Sequence, residues 1–157
     1  MRWVVRICRF GLAALFVFTA AAKLSVIRAF ASNVTELLNA SGVSGERWAW
    51  FTTIAIILVE VLVAVLLILP GTVRLGALAA TLLLLSFAGF ALYYVYALHG
   101  EPLECGCFGG IIASQLGVKT ALRNVALVIP ALVVWFGTRR LHSRQSYKLA
   151  RALPEQS

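Results

Sequence analysis

Four long apolar stretches decide what this chain can fold into. They cover about residues 10–27, 49–69, 75–98 and 118–137. A helix that crosses a bilayer needs about 20 mostly apolar residues, and each stretch approaches or exceeds that length. Of the 157 residues, 61% are hydrophobic and 13% are charged, against roughly 45–50% and about 25% in soluble domains. The sequence therefore predicts an all-α integral membrane protein, a four-helix bundle that forms one domain over residues 1–157.

The first apolar stretch permits two interpretations. It follows Arg2, Arg6 and Arg9 and reaches the small residues at 20–22, which is typical of a cleaved signal peptide. Apolar residues resume after Lys23, however, so the helix reaches about 18 residues if the lysine side chain snorkels out of the membrane. We favour a retained span over cleavage.

The basic residues indicate how the helices are oriented. The 14 Lys and Arg residues give a formal net charge of +8, and nine of them lie before the first stretch, at Arg74 or in the tail after Gly137. Short segments rich in Lys and Arg remain in the cytoplasm. Both termini and the basic tail 138–157 are therefore expected in the cytoplasm of a bacterial cell, at its inner membrane. The positive charge is thus a topological signal, and we expect no nucleic-acid partner.

The first extracytoplasmic loop, between the first two stretches, has helical periodicity. Phe30, Val34, Leu37 and Leu38 recur at helical spacing. Ser32 is a candidate helix cap, and Gly42 is a candidate stop. The pattern predicts a short extracytoplasmic helix at the membrane interface between helices one and two.

The second extracytoplasmic loop contains the most specific motif of the chain, Cys105-Gly106-Cys107-Phe108-Gly109. Two thiols one residue apart close into a disulfide only across a tight turn, which a glycine between them permits. A strained, exposed disulfide belongs with the labile or catalytic class, and outside the cytoplasm it persists. We favour a redox-active dithiol at Cys105 and Cys107.

Two other interpretations of this pair stay open. It could bind Cu(I) or zinc, for which His99 is the nearest further ligand, or it could be a permanent disulfide that shapes the loop. Cys8 lies across the membrane, roughly 30 Å away, and is expected to be a small buried residue. A dithiol must therefore exchange electrons with another molecule, either an extracytoplasmic thioredoxin-like protein or a quinone in the bilayer. No other cofactor is predicted.

Few charged residues lie inside the apolar stretches. Glu60 is near the middle of the second, where an unpaired carboxylate is costly, and Lys23 is its first-choice partner. The pair has two interpretations, a clasp that fixes helix pairing or a proton-transfer group. Arg123 and Asn124 open the fourth stretch and face either the loop or the bundle. If it faces inward, Arg123 could favour the thiolate form of a cysteine.

Taken together, these elements resemble the MauE/DoxX family of redox-associated membrane proteins. The resemblance covers about residues 10–137. It is carried by Ala-Ala-Lys-Leu at 21–24, Val-Glu-Val-Leu at 59–62, the cysteine motif at 105–109 and Arg-Asn at 123–124.

The resemblance implies a function. MauE-type proteins are thought to support maturation of the disulfide-rich subunit of methylamine dehydrogenase with a thioredoxin-like partner. Cys105 and Cys107 would then be the redox pair, and the supporting polar positions would be Lys23, Glu60, Arg123 and Asn124. Nothing in the sequence ties the chain to methylamine itself.

The expected function is membrane thiol–disulfide exchange that supports disulfide formation or maturation of an exported protein. The rival hypothesis is a non-enzymatic membrane assembly subunit with a structural loop disulfide. Whether the chain is an enzyme, the direction of electron flow, the attacking cysteine, the client and the oligomeric state stay open.

Overall fold

A computed structural model describes residues 2–43, 45–96 and 118–151, and the regular secondary structure within these ranges is entirely helical. The helices are α1 (Arg2–Ser25), α2 (Ile27–Ala40), α3 (Glu46–Ile68), α4 (Val73–Tyr96) and α5 (Val118–Arg151). All except α2 are long and apolar enough to cross a membrane, by length and composition. The predicted helical membrane bundle is confirmed.

Large apolar side chains cover the outward faces of the four long helices. Ile7 in α1, Phe51 in α3 and Leu122 in α5 are each 69% exposed, and Leu75 in α4 is 63% exposed. Apolar surface of this extent is unfavourable in water but is expected where helices face lipid. The chain is therefore a multi-pass membrane protein.

The helices alternate in direction. Arg9 of α1 bonds to the end of α3 at Ile68, and residues 69–72 turn the chain directly from α3 into α4. A Cβ atom on Gly137 of α5 would meet the side chain of Val5 in α1. The start of α1, the α3–α4 turn and this part of α5 therefore share one end of the bundle, called here the terminal end. The opposite end, where α2 lies, is called the loop end.

The main apolar cluster joins all four long helices toward the terminal end. Its buried members are Leu12, Ala13, Phe16, Val63, Ala64, Leu67, Val73, Ala77, Ala80, Leu84, Ala131 and Val134. Small residues let α4 approach its neighbours closely, as is common between membrane helices. Gly76 is the tightest case, since a Cβ atom there would lie 2.8 Å from the backbone of Leu66 and Leu67.

Arg9 closes the terminal end of α3. Its Nε donates to the carbonyl of Leu67 and its Nη2 to the carbonyl of Ile68, both at 2.5 Å. The last carbonyls of a helix have no partner within the helix, and a basic side chain can satisfy them. Arg9 was expected only as a cytoplasmic charge, so this capping role is a finding of the structure.

The short helix α2 packs against α3. Phe30 and Val34 form a small apolar cluster with Ala49 of α3. The predicted stop is confirmed, since α2 ends at Ala40 and Gly42 has a φ of 82°. The predicted cap is wrong: Ser32 lies inside the helix and its hydroxyl donates to the carbonyl of Ala29 at 3.0 Å. Helical hydrogen bonding already begins at Val26, because burial of Phe30 against α3 favours the earlier turn.

The helix boundaries differ most from the prediction at the two ends of the chain. Helix α1 begins at Arg2 and not near residue 10, and α5 runs through Pro130 to Arg151 and not to residue 137. Residues 139–151 contain Leu, Arg, Lys and Gln but no Gly or Pro, so their helix propensity permits the extension. The first part of the predicted basic tail is therefore helical.

Candidate functional site

The predicted site residues divide into two groups. Cys105, Gly106, Cys107, Phe108 and Gly109 lie outside the described residues, as does His99 of the metal interpretation. The four predicted supporting residues are described, and all four line one cavity inside the bundle: Lys23, Glu60, Arg123 and Asn124.

The cavity is organised by an ion pair between α1 and α3. Nζ of Lys23 lies 2.5 Å from Oε1 of Glu60, and the two side chains are 3% and 2% exposed. Helical side chains tilt toward the N-terminus of their helix, so Lys23 points from the loop end of α1 back into the bundle. The predicted ion pair is present. Lys23 therefore does not snorkel out of the membrane, which was the condition for a first span of about 18 residues, because Glu60 offers a partner inside.

Two aromatic rings lie close to the lysine ammonium group. Nζ is 5.6 Å from the ring centroid of Phe30 and 6.0 Å from that of Phe87. Ring faces at this distance attract a cation, most strongly away from water. Because Phe30 belongs to α2, the short helix covers the ion pair from the loop end, and Phe87 borders it from α4.

The cavity beside the ion pair has a volume of about 30 Å³, enough for one or two water molecules. Side chains of α1, α3, α4 and α5 line it. The polar ones are Thr19, Lys23, Glu60, Arg123 and Asn124, and the apolar ones are Leu15, Phe16, Leu84, Phe87 and Leu127. Phe16 and Leu84 also belong to the main apolar cluster, which therefore closes the cavity toward the terminal end.

Oε2 of Glu60 and Nδ2 of Asn124 lie at this cavity and have no hydrogen-bond partner among the described residues. A buried polar atom without a partner typically costs about 1–3 kcal/mol, so native proteins seldom leave one unsatisfied. The carboxylate oxygen accepts hydrogen bonds and the amide nitrogen donates them. The cavity therefore offers an acceptor from Glu60 and a donor from Asn124 to whatever occupies it, beside the guanidinium group of Arg123.

The open question about Arg123 and Asn124 is answered by their position. Both line the cavity, so both face the bundle. Asn124 is 5% exposed and Arg123 is half-buried. An influence of Arg123 on a cysteine thiolate stays a prediction, because the cysteine motif lies outside the described ranges.

Thr19 is a cavity residue that the sequence analysis did not single out. It lies one helical turn before Lys23, on the same face of α1, and is 7% exposed. Its hydroxyl donates to the carbonyl of Phe16 at 3.1 Å. The sequence spacing could have identified it, since a residue four positions before a buried lysine lies on the same face of the helix.

Cys8 is a free thiol that packs against the main apolar cluster. It is half-buried, whereas the prediction was a buried residue. The described ranges contain no group of three or more His, Cys, Asp and Glu residues that could hold a metal ion.

Comparison with known families identifies the chain. The model of the family described as methylamine utilisation protein MauE matches residues 1–137. That range includes both the polar cavity and the cysteine motif. Comparison with curated proteins and with solved structures gave no match. Because the family match covers most of the sequence, this membrane protein belongs to the MauE family.

Proposed function

We propose that this protein is a thiol–disulfide redox protein in which Cys105 and Cys107 exchange electrons with an extracytoplasmic thioredoxin-like protein. The observation that carries the proposal is the Cys-Gly-Cys motif within the part of the chain that matches the MauE family. The helices that flank the motif support it: α4 ends at Tyr96 and α5 begins at Val118, both at the loop end of the bundle.

The proposed reaction has two exchange steps. One thiolate attacks a sulfur of the partner disulfide and forms a mixed disulfide, and the partner's other sulfur leaves as a thiolate. The second cysteine then attacks the mixed disulfide, which releases the reduced partner and leaves a Cys105–Cys107 disulfide. The reverse sequence oxidises the partner. A second molecule must return the pair to its starting state. A quinone of the bilayer is the candidate after the reverse sequence, because it can oxidise the dithiol to the disulfide and become a quinol. After the forward sequence the pair is a disulfide, and its return requires a reductant, such as a quinol or another dithiol.

The proposed topology places both chain termini in the cytoplasm and the cysteine motif outside it, at a bacterial inner membrane. The support is the charge distribution, because nine of the 14 basic residues occur in segments that would face the cytoplasm. An oxidising compartment would allow the disulfide form to persist. The proposed client is an exported, disulfide-containing protein. The family's description, methylamine utilisation protein, gives a metabolic setting and names no client.

Trapping of a mixed disulfide tests the proposal. Cys105→Ser and Cys107→Ser each remove one step of the exchange, so one of them should accumulate a covalent complex with an outer-face protein on non-reducing gels. Cys8→Ser is the control, because Cys8 packs against the apolar cluster inside the bundle. The complex should be absent from a variant that lacks both Cys105 and Cys107.

The same experiment addresses the rival function, a non-enzymatic assembly subunit. Arg9 and the Lys23–Glu60 pair fix α1 against α3 without any contribution from the cysteines, so a purely structural role is compatible with the bundle. If neither single variant traps a partner while both still support client maturation, the exchange reaction is wrong and the assembly role replaces it.

A further inference from the structure

Two buried polar atoms that have no hydrogen-bond partner within the described ranges belong to residues that line one small cavity. Glu60 and Asn124 are 2% and 5% exposed, and each contributes one such atom, Oε2 and Nδ2. They come from α3 and α5, and both residues line the cavity that also adjoins Lys23. Nothing in the redox proposal uses either atom.

The chemistry of the two atoms restricts what can satisfy them. An occupant that satisfies both atoms must donate to a carboxylate oxygen and accept from an amide nitrogen. A hydroxyl group or a water molecule does both, whereas a metal cation or a halide satisfies only one of the two atoms. The volume of about 30 Å³ holds a water molecule, whereas the ring of a quinol would require the helices to separate.

We propose that this cavity is a hydrated proton-exchange site, in which a water molecule donates to Oε2 of Glu60 and accepts from Nδ2 of Asn124. In the exchange, a proton that arrives as hydronium passes to Oε2, which breaks one O–H bond of the hydronium and forms one on the carboxyl group. Neutral water remains, and Lys23 keeps its proton and its bond to Oε1. The reverse step returns the proton.

The residues around Glu60 assign the proton exchange to its carboxyl group. Lys23 comes from α1 and Arg123 from α5, while the residues that α4 contributes, Leu84 and Phe87, and the covering residue of α2, Phe30, are apolar. Glu60 is therefore the acidic residue of the cavity as described. The site goes beyond the redox proposal and does not require it. Oxidation of a dithiol to a disulfide releases two protons, and the carboxylate of Glu60 can accept one of them.

Thr53 supplies a matched control for this assignment. Its hydroxyl is also buried without a partner among the described residues, and it lies on α3 about two helical turns before Glu60. It does not line the cavity. Replacing it should therefore not disturb a water molecule held between Glu60 and Asn124.

Infrared difference spectroscopy tests the proposal on the full chain, reconstituted in synthetic phospholipid without quinones. Two signals are measured. One is an O–H stretching band that shifts when ordinary water is replaced by ¹⁸O-labelled water. The other, called the acid band, is the C=O band of a buried carboxylic acid that appears on acidification, at a higher frequency than the band of the solvent-exposed glutamates. The variants are Glu60→Gln, Asn124→Leu and, as the control, Thr53→Val. Thermal unfolding and gel filtration establish that each variant is folded.

The wild-type protein and Thr53→Val should give both signals. Asn124→Leu should lose the water band, and Glu60→Gln should lose the acid band. The proposal is overturned if the wild type lacks the water band, if Asn124→Leu keeps it, or if the acid band persists in Glu60→Gln. A hydroxyl band that requires added quinol and ignores labelled water would also overturn it.

Asn124→Leu alters no charge, so it decides the question even if Glu60→Gln fails to fold. The double variant Cys105→Ser/Cys107→Ser should keep both signals, which separates failure of this proposal from failure of the redox proposal.

Discussion

The ammonium group of Lys23 lies 2.5 Å from a carboxylate oxygen of Glu60, in the interior of a bundle whose outward faces are apolar. A single buried charge is unfavourable in a membrane, whereas two opposite charges in contact offset much of that cost. The pair also joins α1 to α3, helices separated in sequence by the whole of α2. Each partner is therefore required mainly because the other is present.

This relationship predicts that the two single substitutions are worse than the double one. Lys23→Met and Glu60→Leu each leave one buried charge unpaired, which typically costs about 3–5 kcal/mol. The double variant Lys23→Met/Glu60→Leu leaves none and should lose less stability than either single variant. Denaturant unfolding in detergent micelles measures this. Additive losses would show that the two residues act independently.

The close approach of α3 and α4 predicts a strong effect of a single methyl group. Gly76→Ala would place a Cβ atom 2.8 Å from the backbone of Leu66 and Leu67, and backbone atoms cannot rotate away. We expect a loss of about 1–3 kcal/mol, as for other overpacked sites. Gly89→Ala in the same helix is the control, since nothing lies within 4 Å of its added Cβ. Thermal unfolding midpoints compare them, and equal midpoints would contradict the close approach.

The cap that Arg9 forms on α3 predicts a difference between two arginines of α1. Arg9→Gln removes the charged donor of two hydrogen bonds to Leu67 and Ile68, and such bonds contribute roughly 1.5–3 kcal/mol each. Arg6→Gln removes the same charge from an exposed position on the same helix. Only the first should lower the free energy of unfolding markedly. Comparable losses would mean that charge, and not capping, is what matters.

Much of the bundle could be predicted from the sequence because an apolar segment that crosses a membrane as a helix has a nearly fixed length. Apolar length alone located the spans of α3 and α4 to within a few residues, and the scarcity of charges inside the spans indicated that Lys23 and Glu60 pair. The cover around this pair could not be predicted. That Phe30 and Phe87 lie beside Lys23 depends on which helix faces contact each other, and hydropathy does not report this.

Contacts between helices also explain why the start of α2 and the capping role of Arg9 differ from the prediction. Ser32 is a good cap residue, but burial of Phe30 against α3 begins α2 earlier, and that contact is tertiary. Arg9 counts as a cytoplasmic charge in any topology rule, while its bond to Leu67 depends on how α1 crosses α3. Asn124 could be named as a site residue, yet its position at the cavity required the packed bundle.

Phe30 of α2 covers Lys23, and this predicts when an amine reagent can modify the lysine. Phe30 is 7% exposed and its ring lies 5.6 Å from Nζ. Phe30→Ala should open the loop end, so a membrane-impermeant amine reagent should modify Lys23 in that variant and not in the wild type, as read by mass spectrometry. Phe30→Leu should keep most of the cover. Phe51→Ala, which trims a residue that is 69% exposed, is the control. Equal labelling of wild type and Phe30→Ala would show that α2 is not the barrier.

The proposed topology predicts which thiols react from outside the cell. In intact cells treated with a mild reductant, a membrane-impermeant maleimide should label Cys105 and Cys107, because the excess of basic residues assigns the opposite end of the bundle to the cytoplasm. Cys8 should stay unlabelled until the protein is denatured, since it packs half-buried against the main apolar cluster. Cys8→Ser should therefore label like the wild type, and the variant without Cys105 and Cys107 should not label. Labelling of the motif only after lysis would reverse the orientation and remove the oxidising compartment on which the redox proposal depends.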